Sequence, residues 1–133
     1  MAASEPQKEK PPQTSPALRT LAMPADANPN GDIFGGWVLA QMDLAGAVPA
    51  QARAGGRIAT VAVESLRFHK PIFIGDLVSC YAEVARVGTT SLTVRIETWA
   101  DRRGTREQVK VTEGHFVYVA IDDEGRPRQV GDG

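Results

Sequence analysis

The chain has 133 residues, 42 % of them apolar, and its 15 basic and 16 acidic side chains leave a formal net charge of −1. That length fits one domain with a core of its own, and the balanced charge excludes a general attraction to nucleic acid or to an acidic membrane. The single cysteine, Cys80, cannot close an intrachain disulfide and gives no sign of an oxidising compartment.

In chain order, residues 1–16 (MAASEPQKEKPPQTSP) come first, dominated by Pro, Ser, Lys, Glu and Gln. They hold no apolar run of the kind a secretory signal needs, and their composition predicts a disordered tail. The folded domain is expected over 17–130, in a soluble, cytoplasmic protein. Residues 18–23 (LRTLAM) predict a short strand, and PADANPNGD a loop rich in turn formers. A helix follows over 34–54, with Trp37, Val38, Leu39, Met42, Leu44, Ala45 and Val48 spread around it. A helix apolar on nearly every side belongs inside something. Pro49 lacks the amide that would bond the Ala45 carbonyl, which predicts a kink or an early end. Four strands complete the chain at 57–68, 77–88, 90–101 and 107–122, the last three alternating polar and apolar residues. The order implies an α+β domain, one long helix against one curled antiparallel sheet, each needing the other's apolar face.

Between Ile33 and Gln51 only Asp43 is charged, a carboxylate set in the most apolar helix of the chain. The stretch MPADANPNGDIFGGWVLAQMDLAGAV, followed by TVAVESLRFHKPIFIGDLVSCYAEVARVGTTSLTVRIETW, resembles the acyl-CoA thioesterases of the acyl-CoA hydrolase hotdog family, in particular their bacterial single-domain YciA type. The likeness covers about 18–130. The Asn-x-x-Gly turn, paired glycines, helical Met-Asp, Lys-Pro and Gly-Asp are specific in this order, though each is weak alone. The resemblance implies the hotdog fold and hydrolysis of acyl-CoA thioesters to a free acid and CoA. It assigns a catalytic carboxylate to Asp43 and a catalytic amide to Asn28. It further implies a homodimer as the catalytic unit, often in a trimer of dimers, and broad tolerance of short and medium acyl chains.

Thioester hydrolysis needs a base or nucleophile and a donor to the carbonyl oxygen. A carboxylate serves in either of the first two roles, and the sequence leaves both open for Asp43. The donor is a backbone amide where the helix starts, with unpaired N–H groups and a partial positive charge. There Gly35 and Gly36 let a substrate approach the backbone closely. From Gly36 to Asp43 is roughly 10 Å along the helix axis, too far for both to serve one carbonyl. Two antiparallel central helices in a dimer resolve this, the helix start of one subunit facing Asp43 of the other.

For the CoA phosphates the candidates are Arg57, Lys70, Arg86 and Lys110, with the amides and hydroxyls of Gly88, Thr89, Thr90 and Ser91. CoA belongs to the substrate, and no separate cofactor is expected. GDIFGGW lacks the Lys-Ser/Thr ending of a phosphate-binding P-loop. His69 and His115 do not stand in metal-ligand spacing, so no metal is expected. More ordinary roles compete at each candidate: a loop-capping carboxylate for Asp43, a turn former for Asn28, close packing for the glycines, solvated charges for the cations. Two other functions compete as well. A hotdog hydratase or dehydratase would use an Asp with a His five residues on, and no Asp here has one. A non-catalytic acyl-CoA-binding module would bind CoA without turnover.

Overall fold

The computed structural model describes residues 9–132. Part of the expected N-terminal tail, residues 1–8, lies outside the described residues. Residues 9–16 carry no helix or strand, and the Glu9 carboxylate comes within 3.8 Å of Lys110 Nζ on the sheet.

Strand β1 (Leu18–Leu21) leads through a 3-10 turn to helix α1 (Gly35–Ala54), and β2 (Ile58–Phe68), β3 (Leu77–Val87), β4 (Ser91–Asp101) and β5 (Gln108–Ala120) follow. The five strands form one antiparallel sheet in the order β1-β3-β4-β5-β2. The helix-and-curled-sheet arrangement read from the sequence is therefore the one observed, with boundaries shifted by one or two residues.

Helix α1 lies on the sheet through Val38, Met42, Ala45 and Ala50, a stripe at three- to five-residue spacing. The sheet meets it with Val94, Ile96, Phe116 and Tyr118, each next but one to its neighbour on its strand and so on one face. Cys80 sits in this core beside Thr98, and burial pushes its thiol up to about 11, so it is an unreactive filler. The expectation of a helix covered all round is met on one side only: Leu44 is 58 % and Val48 55 % exposed.

The expected early end at Pro49 does not occur; the helix runs on to Ala54. A proline removes one amide, and here later turns have their own anchors. Ala50 packs in the main core, and Ala54 packs with Leu92, Ala120 and Val130. Gly55 then closes the helix in the left-handed region (φ 70°), its amide donating to Gln51 O.

Strand β2 is an edge. Among the described residues it pairs with β5 alone, and its ladder is interrupted between Thr60 and Ala62 and again between Glu64 and Arg67. Ser65, in the second irregularity, has φ 53°. Along this edge Val61, Val63 and Phe68 are exposed.

The loop between β2 and β3 is anchored by a buried ion pair. Asp76, 2 % exposed, accepts from Arg102 Nη1 at 2.5 Å and from the Phe73 amide at 2.8 Å, while the Arg102 guanidinium lies over the Phe73 ring. The loop in turn bonds the segment before the helix: Ile33 N donates to Ile72 O, and Asp32 bridges to Phe73.

Candidate active site

Asn28 begins a tight turn. Its Oδ1 accepts the amides of Asn30 (2.9 Å) and Asp32 (3.1 Å), and its own amide donates to Asp32 O. This is the Asx geometry expected of a turn-forming Asn. It consumes the side-chain oxygen and leaves the NH2 end as the group with hydrogen bonds to give. The turn delivers the chain to the helix start at Gly35. Phe34, in the N-cap position, offers no side-chain cap; its carbonyl takes the amides of Trp37 and Val38, which leaves those of Gly35 and Gly36 without a backbone partner among the described residues.

An open cleft of about 390 Å³ lies at this end of the domain. Asn28, Gly35, Phe68, His69, Lys70 and Ile72 are among the residues that line it. The approach to Gly35 is close: a Cβ there would sit 3.6 Å from Phe68 Cζ, and Gly36 has open space beside it. His69 is turned toward the sheet's outer face, its Nε2 2.8 Å from Glu113 Oε2.

Asp43 does not line this cleft. It stands two turns further along α1, half-buried, where Thr60 Oγ1 on β2 donates to its Oδ1 at 2.6 Å. Its main-chain carbonyl accepts from Tyr118 Oη on β5 at 2.8 Å. Burial, then the nearby Asp43 carboxylate, push the Tyr118 phenol well above its ordinary value, so it stays a neutral donor. The two halves of the expected site thus lie at different points along one strand: Thr60 beside Asp43, and Phe68, eight residues on, in the cleft with Asn28 and Gly35.

The candidate phosphate ligands divide in the same way. Lys70 belongs to the cleft. Lys110 is engaged on the outer face with Glu113 (3.1 Å) and Glu97 (3.7 Å). Arg95 completes that network at 2.6 Å from Glu97, and burial of Glu97 is outweighed by Arg95, Trp99 and Lys110, which hold its carboxyl below the usual range. Arg57, Arg86 and the 88–91 turn lie at the other end of the sheet, by the C-terminus of α1. There Arg57 donates to the carbonyls of Asp122 and Asp123. The Gly88 amide donates to Ser91 O, and the carbonyls of Thr89 and Thr90 take the amides of Val130 and Ala120. Arg86 is exposed on β3, beside its bulge.

Sequence reasoning missed Thr60, Tyr118 and the cleft-lining Phe68. Their signal was faint: a hydroxyl early in β2, and a Tyr where Phe116, two residues back on the same face, is a plain hydrocarbon. Among the described residues no group of three or more His, Cys, Asp and Glu side chains could hold a metal, and no helix is long and apolar enough to cross a membrane.

A carboxylate fixed on a central helix, an amide-bearing turn before that helix and a curled sheet around it define a hotdog thioesterase. Residues 30–107 match the thioesterase superfamily. The chain is 50 % identical over 120 residues to the acyl-CoA thioester hydrolase YciA of Escherichia coli K12, covering 88 % of this chain and 91 % of that one. A hexameric thioesterase from Yersinia pestis superposes with a TM-score of 0.86 at 48 % identity, over 92 % of this chain and 99 % of the other. A hexameric hotdog-fold thioesterase of Campylobacter jejuni does so at 0.84 and 39 % identity, over 90 % and 92 %. The chain belongs to the thioesterase superfamily and has its hotdog fold.

Proposed function

We propose that the chain is an acyl-CoA thioesterase whose active site is shared between two subunits related by a two-fold axis. The observation that carries the shared site is the separation of Asp43, held by Thr60, from the cleft of Asn28 and the α1 amides. Antiparallel pairing of two central helices sets the cleft of one subunit against Asp43 of the other. Exposed Leu44 and Val48 on α1, with Val61, Val63 and Phe68 on β2, supply apolar surface for such pairing. The hexameric neighbours favour a further assembly of three such dimers.

The thioester carbonyl oxygen takes hydrogen bonds from the first amides of α1, where the helix dipole favours negative charge. The Asn28 NH2 orients the thioester or the attacking water. Asp43 removes a proton from that water as it attacks the carbonyl carbon. The C–S bond then breaks, and the CoA sulfur leaves with the proton that Asp43 returns. Thr60 holds one carboxylate oxygen, which aims the other. No cofactor is needed, since CoA is part of the substrate. Lys70, which lines the cleft, is the favoured phosphate ligand, while the ion pairs of Lys110 argue against it in that role. A reduced, lone cysteine and the acyl-CoA substrate favour the cytoplasm.

The test is thiol release from a panel of acyl-CoAs by wild type and Asp43→Asn. Asn is nearly isosteric, so the fold should persist while turnover falls at least ~10²-fold, the scale of a lost general base. Near-normal turnover on several substrates would refute the assignment. CoA binding with no turnover by the wild type would favour the non-catalytic binding module.

A further inference from the structure

Tyr118 is 1 % exposed and lies between sheet and helix. Phe116 occupies the same face of β5 at the same burial without a hydroxyl, so filling the space does not require one. A buried phenol must find an acceptor. Its hydrogen bond goes to the main-chain carbonyl of Asp43. That carbonyl already faces the Ala47 amide one turn on, by helix geometry, and its second lone pair is what Tyr118 takes.

The helix has been cut away to admit this bond. Gly46 lies over the hydroxyl; a Cβ there would collide with Tyr118 Oη and stand 2.7 Å from Ile96 Cδ1. A glycine inside a helix weakens it relative to alanine, and Gly46 is fully buried, where alanine would otherwise be the natural choice. The glycine and the phenol together fix the height and rotation of the turn that carries Asp43. Thr60 restrains the carboxylate from β2, and Tyr118 restrains the backbone beneath it from β5.

We infer that Tyr118, seated in the notch at Gly46, is a positioning residue for the Asp43 carboxylate in thioester hydrolysis. It rests on the reading of Asp43 as the base. It does not touch the substrate, so its loss leaves binding unchanged and weakens the chemical step, since a small misplacement of a base reduces turnover steeply.

The experiment compares Tyr118→Phe with Ile96→Val, a truncation against the same helix that leaves the Tyr118–Asp43 bond in place. Both are assayed as intact oligomers below their melting temperatures. Tyr118→Phe is expected to lower kcat about tenfold with KM within twofold, while Ile96→Val keeps kcat near wild type at a similar loss of Tm. Gly46→Ala should lower kcat in the same direction. A wild-type kcat for Tyr118→Phe, or an equal fall in kcat for Ile96→Val, would overturn the inference. Asp43→Asn separates the two claims: if it is inactive while Tyr118→Phe is fully active, only the positioning role fails.

Discussion

Two inactive variants should restore each other if the catalytic groups come from different subunits. Take Asn28→Ala, which empties the cleft end, and Asp43→Ala, which empties the helix end. The two residues sit at separate places in one protomer: Asn28 lines the cleft with Phe68, and Asp43 is held by Thr60, eight residues away on the same strand. In a two-fold dimer containing one chain of each variant, one shared site carries both lesions and the other carries none. Random association makes half of all dimers mixed, so about a quarter of wild-type sites return. The same fraction holds if dimers assemble further. The two variants are unfolded, mixed in equal amounts, refolded and assayed by thiol release, with refolded wild type setting the recoverable maximum. If both residues served one site from one chain, every site would keep a lesion. Activity no higher than that of the separate variants, with mixed dimers confirmed by mass, would refute the shared site.

Arg102→Met should leave the Asp76 carboxylate buried without its cation, at a cost of about 3 kcal/mol. At roughly 3 °C per kcal/mol for a chain this size, Tm should fall by about 10 °C at matched protein concentration; a shift under about 3 °C would show the pair to be dispensable. Glu113 is held below its ordinary carboxylate value by His69 and then Lys110. Its native value is depressed, so its stabilisation is present above the unfolded value and is lost as pH falls through the native one. Urea unfolding of Glu113→Gln should therefore show a deficit at pH 7 that narrows steadily below about pH 4; a deficit independent of pH would contradict this.

The strands were legible because their inward faces repeat every second residue, as in Leu92, Val94 and Ile96, and the helix because its composition allows little else. Pro49 does not end the helix; local propensity is blind to what the following turn packs against, here Ala54 on Leu92 and Val130. Asp43 stood out as a lone charge in an apolar run, and Asn28 as part of a motif. Their partners did not, because Thr60 lies 17 residues and Tyr118 75 residues from Asp43 in sequence. The strand register decides which hydroxyl reaches which helix turn, and one bulge in β2 would have moved the choice. Charge is what marks the four basic phosphate candidates in the sequence, and it does not reveal that Lys110 is occupied by Glu97 and Glu113.

The irregular ladder of β2 bears on how the protein survives before it assembles. An edge strand with exposed Val61, Val63 and Phe68 is a template for indiscriminate strand pairing, and so for aggregates. Two breaks in register and the left-handed Ser65 give that edge an outline that a straight, unrelated strand does not follow. Only a surface with matching interruptions lies flush along it. The irregular edge thus acts as a filter on what covers its exposed apolar side chains, discouraging the growth of fibres while a newly made chain waits for its own copy.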